Sequence, residues 1–166
     1  MLAWLETTGL ALWIDVSAWA YPFLLTVHGL GMAVVVGLTA VISLRILGFP
    51  ANVPLGAYKG LIPYTLVAFF FNAVSGAALF VSDAQALAAN ISFIIKMVSI
   101  VVGLVVLWRI NATVLKPFHA AMVGGGEAPA LPGSAKALAI AAILIWWLSV
   151  LVSGRLVAYL SAAEFS

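Results

Sequence analysis

The fold is decided by residues 17–47, which read SAWAYPFLLTVHGLGMAVVVGLTAVISLRIL. In this run Arg45 is the one charged residue, and His28 interrupts an otherwise apolar stretch. A helix needs about 20 mainly apolar residues to cross a bilayer core of roughly 30 Å. Because this stretch is longer, we expect a transmembrane helix that tilts or projects beyond the bilayer at one end.

The composition of the whole chain supports the same interpretation. Of its 166 residues, 66% are hydrophobic and 7% are charged, whereas soluble domains have about 45–50% apolar and about 25% charged residues. A soluble enzyme, a nucleic-acid-binding domain and a disordered regulator are therefore excluded. The chain has no cysteine, which excludes cysteine-ligated iron–sulfur clusters, cysteine-ligated zinc and attached c-type haem for this chain alone.

Three further segments are long and apolar enough to span a bilayer, at residues 61–81, 91–110 and 137–160. We therefore predict an all-α, polytopic membrane protein, a four-transmembrane-helix bundle forming a single membrane domain over residues 1–166. Residues 1–16 precede the first span, and their core, LAWLETTGLALW at residues 2–13, is too short and polar to cross. It predicts a short interfacial helix. Glycine and proline predict loops at residues 49–60 and 122–134.

Basic residues flank only the first and third connections: Arg45, Lys59, Arg109, Lys116 and Lys136. The positive-inside rule predicts that these two connections are cytoplasmic. Both termini and residues 83–90 then face outward, into the periplasm of a Gram-negative cell. The predicted location is the bacterial inner (cytoplasmic) membrane.

Ionisable residues inside the hydrocarbon are costly and indicate a functional site. Counted at about 1.5 Å per residue from the outer boundary, His28, Lys96 and Arg155 all fall in the outer leaflet. Asn72, Ser75 and Ser99 lie at comparable depth. We therefore predict an outward-facing polar cavity with His28 deepest.

Helical spacing predicts which faces line this cavity. The third span carries Ser92, Lys96, Ser99 and Gly103 on one face, and the second carries Ala68, Asn72, Ser75 and Gly76. On the first span, Gly29, Ala33 and Gly37 form a small-residue ridge that predicts close helix contact beside His28.

Structural roles are the alternative for each of these residues. Lys96 and Arg155 could extend to the outer headgroups, and His28 could simply form a hydrogen bond between helices. The six tryptophans are interpreted as anchors or packing residues. His119 follows the third span on the cytoplasmic side, well over 20 Å from His28, so the two histidines are not expected to share one iron.

Several segments resemble an uncharacterised family of small bacterial four-helix membrane proteins: Ser17-Ala18-Trp19-Ala20-Tyr21-Pro22, His28, Gly31, Gly37, Leu44-Arg45-Ile46-Leu47-Gly48, Asn90, Phe93, Lys96, Arg109 and Asn111. More distantly, a histidine on the first helix and a lysine on the third resemble HemJ and CopD-type membrane proteins. The HemJ resemblance implies a histidine that ligates haem b and a functionally required lysine. Ser43 departs from the acidic residue expected there in relatives.

The first functional hypothesis is a b-type haem protein in membrane electron transfer. Quinone is the candidate electron partner. His28 is the predicted axial iron ligand, while Lys96 and Arg155 are candidates to hold the propionates. Asn72 and Ser99 complete the predicted cofactor-binding set. The second axial ligand is open between weak candidates: Met32, Met97 or a residue of another chain.

Two other function classes compete with this hypothesis. One is a cofactor-free accessory subunit whose surface binds lipid, neighbouring membrane subunits or further copies of the chain. The other is a small transporter, which the apolar inner halves of the first and third spans, at Val34-Val35-Val36 and Leu104-Val105-Val106-Leu107, disfavour.

Overall fold

The computed structural model describes residues 2–151, and its regular secondary structure over that range is helical. Its α-helices are α1 Ala3–Glu6, α2 Gly9–Val16, α3 Ala20–Leu47, α4 Leu61–Ser82, α5 Ala84–Ala89, α6 Ile91–Ile110, α7 Lys116–Gly124 and α8 Ala135–Leu151. A 3₁₀ helix, Leu55–Gly60, leads into α4, and a π-helix, Asn111–Leu115, joins α6 to α7.

Three continuous helical stretches are long and apolar enough to cross a bilayer: Ala20–Leu47, Leu55–Ser82 and Ile91–Gly124. The all-helical prediction is therefore confirmed for the described residues. The apolar helix α8 has 17 described residues. The end of the predicted fourth span, including Arg155, lies outside the described residues.

The exterior of the bundle differs from that of a water-soluble bundle, and its interior contains several small polar residues beside the apolar core. Many large apolar side chains are exposed, including Phe70, Phe71, Val101, Val105 and Trp108. The buried polar side chains belong to Thr39, Ser43, Thr65, Asn72, Ser75, Ser92, Ser99 and Ser149. An apolar exterior of this kind suits a lipid environment, where it avoids the cost of contact with water, and small polar residues suit close helix packing in lipid.

Helix α3 is central to the bundle, because it packs against α4 on one side and α8 on the other. Helix α8 also packs against α6. Toward the end where α3 terminates, one core cluster contains Ile42 and Ile46 of α3, Ile110 of α6, and Ala139 and Ala142 of α8. The small alanine side chains allow the backbones of these helices to approach closely.

The connection after α3 begins at a left-handed glycine. Gly48 has φ +113°, which terminates α3, and the Phe49 N–H donates to the Leu44 carbonyl at 2.9 Å. Arg45 Nε donates to the Val53 carbonyl at 2.6 Å and so ties the connection back to the helix. The predicted loop is partly wrong, because its second half is the 3₁₀ helix Leu55–Gly60.

Helical structure also continues beyond the predicted end of the third span at residue 110. The π-helix widens the hydrogen-bond register immediately before Pro117, whose missing N–H and ring disrupt a regular α-helical ladder. The chain therefore stays helical to Gly124, and Gly125, with φ +66°, ends it. At about 1.5 Å per residue, these 34 residues extend beyond a bilayer core.

The single interfacial helix predicted at residues 2–13 is two short helices, α1 and α2. They separate at Thr7 and Thr8, whose hydroxyls donate to the carbonyls of Trp4 and Leu5. Such side-chain bonds compete with the helical ladder. Both helices pack against α4, and their position at a membrane surface stays a prediction.

Candidate functional site

The site lies at a close contact between α3 and α4. A Cβ at Gly31 would lie 2.9 Å from both the Ala68 carbonyl oxygen and Asn72 Cβ, so glycine is required for this approach. The predicted ridge of Gly29, Ala33 and Gly37 is wrong. All three residues are exposed, because the packed stripe of α3 instead follows Gly31 and Val35.

His28 and Asn72 are joined by reciprocal hydrogen bonds across this contact. Asn72 Nδ2 donates to the backbone carbonyl of His28 at 2.7 Å, and His28 Nδ1 lies 2.9 Å from the backbone carbonyl of Asn72. Since a carbonyl can only accept, the proton is assigned to Nδ1. The other ring nitrogen, Nε2, is then left with its lone pair.

Lys96 of α6 completes the group. Its Nζ lies 3.1 Å from His28 Nε2 and donates a hydrogen bond to it. An imidazole that accepts at Nε2 while donating at Nδ1 is neutral. The contact therefore joins a neutral imidazole to the Lys96 side chain, because two cations at this distance in a partly buried site would repel each other.

Two further residues of α4 shape the imidazole pocket. A Cβ at Gly76 would lie 2.8 Å from His28 Cε1, so this glycine makes room for the ring. Ser75 Oγ donates to the Phe71 carbonyl at 2.7 Å and lies at the longer distance of 3.5 Å from His28 Nδ1. The predicted inward face of α4 is confirmed, since Asn72 and Ser75 are buried.

The inward face of α6 is also confirmed, although its members do different things. Ser92, Ser99 and Gly103 are buried, but the Ser99 hydroxyl donates to the Ile95 carbonyl of its own helix at 2.8 Å. Met32 is half-buried one turn beyond His28, and Met97 is exposed. Arg155 lies outside the described residues.

His119 lies at the opposite end of the bundle. Its Nδ1 is 3.1 Å from the carbonyl of Gly56, whereas His28 contacts Asn72. Helical rise places Gly56 and Asn72 about 25 Å apart along the chain direction. The prediction that the two histidines cannot hold one iron between them is confirmed.

Acidic residues gather at the end of the bundle nearest His28. Glu6 accepts from both the backbone N–H and the side-chain amide of Gln85, each at 2.8 Å, and the backbone hydrogen bond is the main cause that lowers the Glu6 pKa. Desolvation raises the pKa of Asp83, and the negative charges of Glu6 and Asp15 raise it further.

Buried polar atoms in the other half of the bundle were not predicted from the sequence. Among the described residues, four buried side-chain atoms have no hydrogen-bond partner: Thr39 Oγ1, Ser43 Oγ, Asn111 Oδ1 and Trp146 Nε1. The consecutive valines and leucines in this half conceal these isolated polar positions. Spacing alone does place Thr39 and Ser43 one turn apart on α3.

The described residues contain no group of three or more histidine, aspartate or glutamate side chains that could hold a metal ion. A lone imidazole, by contrast, is sufficient as the protein ligand of haem iron. Comparison with known proteins adds no further constraint: no family model, no curated protein and no solved structure matches the chain.

Proposed function

We propose that this is a four-span protein of the bacterial inner membrane that binds haem b through His28 and transfers electrons near the outer leaflet. Both termini and residues 83–90 are periplasmic in this proposal. The observation that carries it is the bond from His28 Nδ1 to the Asn72 carbonyl. Histidines that ligate metals commonly donate their second ring N–H to such an acceptor, which orients the ring and leaves Nε2 for the metal.

The donor chemistry fits haem once Lys96 moves away from Nε2. Lys96 Nζ at 3.1 Å occupies the direction in which the imidazole would meet iron. The four-carbon lysine stem is flexible enough to turn toward the outer surface, where the ammonium can pair with a haem propionate. Arg155 is the second proposed propionate partner.

The remaining residues would hold the imidazole and shield the site. Asn72 fixes the ring through its backbone carbonyl, and Gly76 leaves space beside Cε1. Ser99 lies buried on the face of α6 that carries Lys96. When bound, haem supplies one-electron redox chemistry, and a membrane quinone is the proposed electron partner.

The test is a reduced-minus-oxidised absorption spectrum of the full chain purified from haem-replete cells. We expect a b-type spectrum that is lost in His28→Ala, because that change removes the proposed axial nitrogen. His119→Ala is the matched control and should retain the spectrum. A correctly assembled wild-type protein without haem absorbance contradicts the proposal.

A second candidate function is a cofactor-free accessory subunit of a larger membrane complex. It is favoured by one observation: Lys96 already satisfies His28 Nε2 without any added group. In that case the His28–Lys96 pair ties α6 to α3. His28→Gln and Lys96→Met should then each destabilise haem-free protein, and the double variant should cost less than the two single costs added together.

A further inference from the structure

A crevice opens between α4 and α6 at the opposite end of the bundle from His28. Its volume is about 100 Å³, and it is lined by Ile62, Leu66, Leu104, Leu107, Trp108 and Asn111. The α4 residues belong to the first turns of that helix, while the α6 residues belong to its last turns. Asn111 is the polar member of an otherwise largely apolar lining.

Asn111 lines this crevice, and its side-chain amide oxygen lacks a hydrogen-bond donor within the described part of the chain. Its Oδ1 is buried without a hydrogen-bond partner among the described residues. Its backbone is satisfied, because the Asn111 N–H donates to carbonyls of Leu107 and Trp108, and its carbonyl accepts from the Lys116 N–H. A buried acceptor without a partner costs about 1–3 kcal/mol, so packing alone gives no reason for asparagine here.

The backbone at this position is also irregular. Asn111 is the first residue of the π-helix that ends at Leu115, and π-helical turns within α-helices occur frequently at functional sites. The unpartnered amide oxygen, the crevice and the π-helix therefore coincide at one residue. Together they indicate a ligand that donates one hydrogen bond and is otherwise apolar.

We propose that this crevice binds the hydroxyl-bearing ring of a phenol- or quinol-type molecule. Asn111 lines the crevice, and a rotation of its side chain would turn the buried Oδ1 toward the ring hydroxyl, which donates to it while the ring packs against Leu104 and Trp108. A closed apolar cavity of about 150 Å³ holds benzene; the smaller crevice here is open on one side, so it takes a ring whose remainder extends into the bilayer. The site is independent of His28 and of haem.

The experiment compares two probes of nearly equal size on the full chain in detergent: 4-bromophenol, which can donate, and 4-bromoanisole, which cannot. Bromine quenches tryptophan fluorescence at short range, so Trp108 reports binding. We expect saturable quenching by 4-bromophenol about tenfold tighter than by 4-bromoanisole, the upper range for one hydrogen bond. The saturable part should be lost in Trp108→Phe.

Variants test whether Asn111 is the residue that accepts the hydrogen bond from the 4-bromophenol hydroxyl. Asn111→Leu should bring the two probes to equal affinity, while Thr113→Val, a matched change in the same π-helix at an exposed residue, should leave the preference intact. Leu104→Trp fills the crevice and should abolish binding of both probes. Equal affinity of the two probes for the wild-type protein, or a preference that survives Asn111→Leu, overturns the proposal.

Discussion

At the scale of single residues, the position of Lys96 shows whether its side chain is used inside the bundle or at the membrane surface. Its Nζ lies within the bundle, 3.1 Å from His28 Nε2, and not at the end of an isolated lipid-facing side chain. That contact removes the simplest alternative, in which Lys96 only extends to the headgroups. The contact between Lys96 and His28 does not itself require a cofactor. Mutation of Lys96 can therefore separate a role in haem binding from a role in stability.

Lys96→Met keeps the length and apolar volume of the side chain but removes the cation. On the haem proposal, we expect haem content per protein to fall several-fold while the midpoint of thermal unfolding changes little, because a propionate partner is lost. Haem stoichiometry from the absorption spectrum measures this. Lys116→Met, at an exposed lysine of the other end, is the control, and equal haem content in both variants contradicts the role given to Lys96.

The residues of the site were predictable from the sequence, but their bonds were not. Depth counting placed His28, Asn72 and Lys96 at one level, and helical spacing assigned the inward faces of α4 and α6. The bond between His28 Nδ1 and a backbone carbonyl depends on the rotation of α3 about its own axis. A run that is apolar around its whole circumference gives little information on that rotation.

At the scale of helices, the contact between α3 and α4 depends on Gly31. Gly31→Ala should destabilise the protein by about 1–3 kcal/mol, because the new methyl group would meet the Ala68 carbonyl and Asn72 Cβ at 2.9 Å. Unfolding of the purified protein in mixed micelles measures the change in free energy.

The matched control is Gly37→Ala on the same helix, where nothing lies within 4 Å of the added Cβ. That change should be neutral or stabilising, by up to about 1 kcal/mol, because alanine favours the helix over glycine. If the two variants have equal stability, the close approach at Gly31 is not the contact that holds α3 against α4.

The stability of the folded protein is expected to depend on pH through Asp83, which lies where α1, α4 and α5 meet. The folded protein raises the pKa of Asp83 above its ordinary value of 3.8 through desolvation and the charges of Glu6 and Asp15. Because the pKa is higher in the folded state, folding favours the protonated Asp83 carboxyl. The stabilising contribution of this protonated carboxyl is complete below pH 3.8 and is lost as the pH rises through the folded pKa.

Asp83→Asn should therefore be more stable than the wild type at pH 7, and the difference should shrink as pH falls toward 3.8. Thermal unfolding across this pH range is the measurement. Glu6→Gln gives the opposite sign at neutral pH, since the folded Glu6 pKa is lowered by its bonds to Gln85. A stability difference for Asp83→Asn that does not vary with pH contradicts this account.

Helix positions were more predictable than helix ends. Long apolar runs identify α3, α4 and α6 within a few residues, because lipid sets both their length and their composition. The ends depend on local bonds that a hydropathy pattern does not contain. The sequence predicts that the third span ends at residue 110, yet the π-helix Asn111–Leu115 continues it, and the hydroxyls of Thr7 and Thr8 divide the N-terminal segment.

At the scale of the whole molecule, the bundle has two chemically different ends. One end carries the acidic residues Glu6, Asp15 and Asp83; the other carries Arg45, which donates to the Val53 carbonyl. The His28–Lys96 pair lies toward the acidic end, and the Asn111 crevice toward the basic one. Orientation in the membrane therefore decides which compartment each site is near.

The basic end is predicted to be cytoplasmic, because positively charged connections are retained there during insertion. Ala86 and Gly125 are exposed in connections at opposite ends of the bundle, and the chain has no cysteine of its own. In intact cells with a permeable outer membrane, a membrane-impermeant thiol reagent should label Ala86→Cys. It should label Gly125→Cys only after the inner membrane is opened. Labelling of Gly125→Cys alone in intact cells would reverse the orientation and place the His28 site near the cytoplasm, whereas labelling of both would contradict an odd number of spans between the two positions.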